Sequence, residues 1–380
     1  MFDMAILVPV SLLIATAVPL VVLYVIYTLD LYKTGAFRLI LMSFVWGTIA
    51  FALAAQINTL MVDAELVTYE QFTRFSAPTI EEILKGIILF ILVRRPKFTY
   101  FVDGAIYGFA AGIGFAIIEN YSYVLGLDNQ SAALTVAIGR VISTNLIHAS
   151  ASGMVGIAIG LARFERFSGR ALYLLAGLVG GMLIHIGFNN LVASELGGLL
   201  LVYAAVAGLG GTGLIVVAIR RGLKEEKAWI EAKLGMADRV TAGEAAVVLK
   251  MEDLDNVLAP VAEIFPDKIS QIKAFLLLQA QLGIKRKTLE KLTDGKMAQA
   301  VREEMDGLRA QMDEARRSVG YGAMIYVRGI FPEGASPLWG RLGTLIEERA
   351  ASRPATGGMD LWGDLSDRIA EAEASANPDS

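Results

Sequence analysis

An all-α polytopic membrane bundle is the fold class this sequence predicts, and three observations predict it. The 380 residues are 55% hydrophobic and only 19% charged, with mean hydropathy +0.54, against about 45–50% and 25% for soluble chains. The charge is unevenly spread: residues 1–221 hold 13 Lys+Arg and 12 Asp+Glu, and residues 222–380 hold 21 and 26. Seven apolar stretches also approach the roughly 20 residues that a helix needs to cross a bilayer. Together these predict a transmembrane domain over 1–221, a cytoplasmic helical module over 222–319 and a largely flexible tail over 320–380. They exclude a single soluble domain and a basic nucleic-acid binder. With no cysteine, disulfides, thiol catalysis and Cys-based zinc sites are excluded too.

The spans run over 4–28, 39–62, 78–93, 104–126, 132–161, 171–192 and 197–219. Ala15-Thr16-Ala17 resembles a signal cleavage site, but Asp3 precedes it, no basic residue does, and the apolar run continues past it. The first stretch is therefore read as a retained span. One set of connecting loops carries Lys33, Arg38, Arg94, Arg95, Lys97, Arg163, Arg166, Arg170, Arg220, Arg221 and Lys224, whereas the alternate set carries only Arg74. The excess of basic residues marks the cytoplasmic side. The N-terminus is thus expected outside and the C-terminal region in the cytoplasm, in agreement with an odd number of spans.

Beyond residue 222 the pattern is amphipathic and helical. Thr241 and Glu244 fit a capping box. Ile269, Ile272, Leu276 and Leu282 form a helical stripe with Gly283 near its end, and 297–317 is a further helix of mixed charge. This region offers a surface for a cytoplasmic protein partner and no catalytic motif.

Inside the spans the chain places groups that are expensive in lipid and therefore face a bundle interior. They are Glu81, Glu82 and Lys85 in span 3, Glu119 and Asn120 in span 4, Arg140, Asn145 and His148 in span 5, and His185 and Asn189 in span 6. Both histidines of the protein are among them. At 1.5 Å per residue, Glu82, Glu119, His148 and His185 lie roughly 17–23 Å from the basic ends of their spans, at one common level. Small residues recur beside them: Gly104, Gly108, Gly112 and Ala116 in span 4, and Gly177 and Gly181 on the stripe of His185 and Asn189. Such ladders let helices approach closely. Arg140 lies nearer the outer end and is expected to snorkel outward.

Three kinds of chemistry suit this set. The carboxylates can activate water for hydrolysis. His148, His185 and Glu119 can hold a metal such as Zn2+ with an open fourth position, leaving Glu82 as the base. The same groups can also relay protons in a transporter or channel. A non-catalytic scaffold working through the cytoplasmic helices is a further alternative. Span 3 is short, and its glutamates lie close after Pro78 near its outer end. That predicts a wet cavity opening outward between spans 3, 4, 5 and 6 with Pro78 at the rim. The connection 63–77, with Tyr69, Phe72 and Phe75, is expected to be a loop of interfacial character, either a lid over the cavity or a plain re-entrant connection.

The ordered motifs Glu81-Glu82-Ile83-Leu84-Lys85, Phe115 through Glu119-Asn120, His148 followed by Gly153, and His185 with Asn189 resemble the PrsW family of bacterial intramembrane proteases. That family is distantly related to CAAX-type prenyl endopeptidases. The resemblance covers about residues 75–195. It implies an intramembrane endopeptidase in the bacterial cytoplasmic membrane, acting on a membrane-anchored protein such as an anti-sigma factor. By position it implies Glu81 and Glu82 as the catalytic pair, completed by Glu119, His148 and His185. The residues themselves suggest Glu82 as the base, a Glu81–Lys85 pair for charge balance, and His185 with Asn189 polarising the scissile carbonyl. CAAX-type relatives often carry His where this chain has Glu119, so glutamate-type and metal-dependent mechanisms both stay open.

Overall fold

A computed structural model of the chain describes residues 4–165, 167–194, 197–234 and 240–331. All regular structure among them is helical, as the composition predicts. The chain divides into two compact units, one of residues 1–225 with 291–300, the other of 226–290 with 301 onward.

The first unit contains α1 (Met4–Thr28), α2 (Phe37–Asp63), the short α3 (Tyr69–Gln71), α4 (Ala77–Leu92), α5 (Phe101–Leu125), α6 (Ala133–Ile142), α7 (Thr144–Ala162), α8 (Phe167–Ala193), α9 (Gly197–Tyr203) and α10 (Gly210–Lys233). Among the described residues, six helical stretches are long and apolar enough to cross a membrane. The third expected span is the exception: α4 has 16 residues. The α5 and α6–α7 stretches form the protein interior, 94% and 83% buried, while the four others leave most of their apolar surface facing outward at 22–28%. Lipid is the natural solvent for that surface.

The glycine ladder explains the buried pair at the centre. A Cβ on Gly104, Gly108 or Gly112 would lie 2.1, 2.2 or 2.4 Å from the carbonyl oxygens of Gly156, Ser152 and His148 on α7. Only glycine permits this approach, and it sets the depth of His148 against α5. Span 5 is two helices rather than one. It breaks at Ser143, whose hydroxyl donates to the Gly139 carbonyl at 2.7 Å, a local bond that competes with the helical ladder.

The connection expected as a loop over 63–77 is largely helical. A capping box at Thr68 and Gln71 starts α3, and a π-helical turn, Phe72–Ser76, joins it to α4. Pro78 supplies no backbone N–H, so the Arg74 carbonyl loses its α-helical donor. The Asn190 side chain donates to that carbonyl at 3.3 Å, and Asn189 donates to the Thr73 carbonyl at 3.0 Å. Two side chains of α8 thus satisfy the groups that the irregular turn releases.

The second unit begins within α10, which runs unbroken through the expected boundary at 221/222. It continues through α11 (Ala242–Val248), α12 (Leu254–Val257), α13 (Ala259–Ile264), α14 (Ile269–Lys291), α15 (Gly295–Val319) and α16 (Tyr321–Gly329). The Thr241–Glu244 capping box is present. Glu244 is fully buried and accepts from Gln279 at 3.0 Å and Arg328 at 2.8 Å, linking α11, α14 and α16. Gly283 does not end its helix: α14 continues to Lys291, and a Cβ at 283 would meet the Ile230 Cα at 3.3 Å. Ordered helix also extends past the expected limit at 319. Gly320, at φ 87°, turns the chain into α16, whose residues 322–327 are buried. The remainder of the expected tail, 332–380, lies outside the described residues.

Candidate active site

Four helices bring the expected residues together. On α4, Glu82 and Lys85 are buried and joined by a 2.6 Å ion pair. Glu82 Oε1 also receives His185 Nδ1 of α8 at 3.0 Å, and its Oε2 accepts from Ser152 of α7 at 3.4 Å. His148 of α7 sets Nδ1 2.9 Å from the Lys85 ammonium and Nε2 2.8 Å from Glu119 Oε2 of α5. The two imidazoles meet edge to face with centroids 4.5 Å apart. His185 Nε2 stands 3.7 Å from Glu81 Oε2.

The arrangement revises several expected pairings. Lys85 neutralises Glu82, not Glu81, because position i+3 brings its ammonium onto the buried face of α4. Glu82 is held by three partners, whereas Glu81 Oε2 is buried with no hydrogen-bond partner. Asn189 lies one turn from His185 but spends its amide on the Thr73 carbonyl. Arg140 turns inward instead of snorkelling. It pairs with Glu119 Oε2 at 2.6 Å, donates to Asn120 at 2.8 Å and covers the Tyr123 ring at 3.7 Å. Asn120 in turn donates to Asn145 at 2.7 Å. Arg140 shares the helical stripe of His148, and only its depth near the outer end suggests an outward side chain; from α6 it reaches Glu119 of α5. Ser152 was visible only as a small residue on the His148 stripe.

A cavity of about 390 Å³ reaches Glu81 and Glu119. Its walls include Phe51, Asn58 and Asp63 of α2, Phe72 of the π-helical turn, and Tyr123 of α5. It therefore lies between the second, third and fourth stretches, not among the third to sixth, and Pro78 is buried away from its rim. The α2 wall lies toward Asp63, the end of that helix remote from the basic loop at Lys33 and Arg38.

Residues 35–218 match a family described as PrsW family intramembrane metalloprotease. Over those residues the chain is similar to the PrsW family. Protease PrsW of Shouchella clausii is 25% identical over 193 residues, covering 49% of this chain and 85% of the relative. Protease PrsW of Bacillus subtilis is 27% identical over 170 residues, or 44% and 76%. That of Clostridioides difficile is 31% identical over 121 residues, or 31% and 50%. No solved structure matches. The chain is a multi-pass membrane protein with a PrsW-type intramembrane endopeptidase domain.

The family's description raises the question of a metal, and the site fits one. Glu81, His148 and His185 each offer a ligand atom within 4.8 Å of the others. Two imidazoles with a carboxylate are a hydrolytic zinc set, and Glu81 Oε2 is a buried oxygen still lacking a donor. Glu81 takes the place expected for Glu119, which is engaged by Arg140 and His148. The outer partners fit as well, since a carboxylate on the second nitrogen of a ligating histidine fixes its orientation. Glu82 does this for His185 and Glu119 for His148.

Proposed function

We propose that this PrsW-type domain hydrolyses a peptide bond of a membrane-anchored protein, such as an anti-sigma factor, near the outer face of the bacterial cytoplasmic membrane. Convergence of Glu81, Glu82, Glu119, His148 and His185 beside one cavity carries the reading. Water enters along α2 and reaches Glu81 and Glu119, the two carboxylates in the cavity wall. His185, held in register by Glu82, presents Nε2 beside the unengaged oxygen of Glu81, and Glu119 takes the proton of the water and returns it to the leaving amine. Lys85 balances the charge of Glu82 and holds His148, while Arg140 and Asn120 keep Glu119 on the other edge of that ring. Glu81, His148 and His185 are the residues that would hold a Zn2+ ion, and one nitrogen of His148 would leave Lys85 or Glu119 on loading. Such an ion supplies Lewis-acid polarisation of the scissile carbonyl and of the attacking water.

Asn189 acts as a positioning residue for the Phe72–Ser76 turn at the cavity wall. Topologically, α4 with its extension back to Tyr69 counts as the seventh span, with the N-terminus outside. The basic loops then put the second unit in the cytoplasm, where 222–319 is free to meet a protein partner.

The test is cleavage of a single-span reporter by protein reconstituted in lipid vesicles, with bound metal measured by elemental analysis. Wild type is expected to cleave, and to lose both zinc and activity on chelation. Glu81→Gln and Glu82→Gln should each lose at least about 10²-fold in rate while inserting normally. Retention of cleavage by both variants would refute the proposed site.

A further inference from the structure

A second cavity, of about 340 Å³, lies at the opposite, basic ends of the same helices, where α4, α7 and α8 meet residues 292–297 of the first unit. Its walls are of two kinds. Phe90, Ile159 and Leu174 make an apolar side, and Arg94, Arg163 and Arg170 a cationic one.

None of the three guanidiniums forms an ion pair with a carboxylate among the described residues. Arg163 is 9% exposed. Its Nη1 donates to the carbonyls of Phe98 and Arg95, and its Nε and Nη2 are buried without a partner. Arg170 donates to the carbonyls of Ala162 and Glu165 at 3.3 and 3.4 Å. Arg94 is exposed, and among the described residues its side chain makes no hydrogen bond. The one acidic residue in the wall, Asp294, caps α15 by accepting the backbone N–H groups of Lys296 and Met297 at 2.8 and 3.0 Å. The carbonyls that Arg163 and Arg170 do bond carry no formal charge to balance theirs. A cavity wall with three cations and a single carboxylate carries an excess of positive charge, and with an apolar wall opposite it suits an amphiphile with an anionic head.

We propose that this cavity binds the phosphate headgroup of an anionic phospholipid, with the acyl chains leaving along the apolar wall into the bilayer. The position argues for a lipid over a soluble phosphate. The cavity opens at the ends of spans, in the arginine-rich loop set, where headgroups of the adjoining leaflet lie. A headgroup there would bridge α4, which carries Glu81 and Glu82 one span length away, to α8, which carries His185.

The test titrates full-length protein in a neutral detergent with short-chain phosphatidylglycerol, phosphatidylcholine or inorganic phosphate, and follows bound adducts by native mass spectrometry. Phosphatidylglycerol is expected to bind at least about 10-fold more tightly than phosphatidylcholine, and phosphate not to compete at millimolar concentration. Arg94→Gln/Arg170→Gln, two exposed positions, should weaken phosphatidylglycerol binding about 10-fold or more. Arg220→Gln/Arg221→Gln, basic residues outside the cavity, should leave it unchanged. Equal binding of the two lipids, an unaffected Arg94/Arg170 variant, or equal loss in the Arg220/Arg221 control would each overturn the proposal. Displacement by inorganic phosphate would overturn it in favour of a soluble anion site.

Discussion

Replacing Gly112 with alanine tests whether the α5–α7 contact sets the geometry of the catalytic cluster. The added Cβ would stand 2.4 Å from the His148 carbonyl oxygen and 2.7 Å from the Ala149 Cα. Both neighbours are backbone, so neither can rotate away, and real Cβ contacts essentially never fall below 3.0 Å. The helices must therefore part by roughly 0.6 Å at this level, at a typical overpacking cost of about 1–3 kcal/mol. Glu119 belongs to α5 and His148 to α7, so the same displacement stretches their 2.8 Å bond to about 3.4 Å, past good hydrogen-bond geometry. A misplacement of 1 Å can cost about 10²-fold, so a loss of about 10-fold in cleavage is expected. Reporter cleavage in vesicles and thermal stability in detergent give the two readouts. Gly213→Ala is the control, because a Cβ there meets nothing within 4 Å. If Gly112→Ala cleaves at half the wild-type rate or better at normal abundance, helix spacing does not control the site.

Three further outcomes follow. Arg140→Gln should lower cleavage about 10–100-fold, the usual effect of losing an orienting partner one shell out, because Glu119 keeps only His148; a rate within 2-fold of wild type would contradict this. Asn189→Ala and Asn190→Ala should each leave a carbonyl of the π-helical turn unsatisfied, costing about 1–3 kcal/mol and raising hydrogen exchange over residues 72–77. Asp30, in the turn after α1, is 3% exposed, and burial followed by the nearby Asp103 charge raises its pKa from 3.8 to about 7. The folded state binds this proton more tightly, so the stabilisation is complete below about pH 4 and is lost as pH rises through 7. Asp30→Asn should therefore melt higher than wild type at pH 8, by up to roughly 4 kcal/mol of stability, and the difference should shrink steadily below pH 7 and vanish only below about pH 4.

What the sequence disclosed, and what it withheld, separates by the range of the physics involved. Span positions and the depth of Glu82, Glu119, His148 and His185 depend on length and rise along single helices, and those four side chains do meet. The glycine ladder was equally legible, since a small residue at every fourth position has few other uses in a membrane helix. Partner choice was not, because it depends on irregularities that helical periodicity averages away. Depth along span 5 suggests that Arg140 snorkels outward, whereas its partner on α5, Glu119, draws it inward. A loop over 63–77 leaves Asn189 free for chemistry, whereas the π-helical turn before Pro78 claims it for the Thr73 carbonyl. The same turn forms part of the cavity wall through Phe72, opposite residues of α2. Glu81, which lines that cavity, keeps an unengaged oxygen, whereas Glu82 is packed against Lys85, His185 and Ser152, a difference between adjacent positions that helical spacing alone does not disclose.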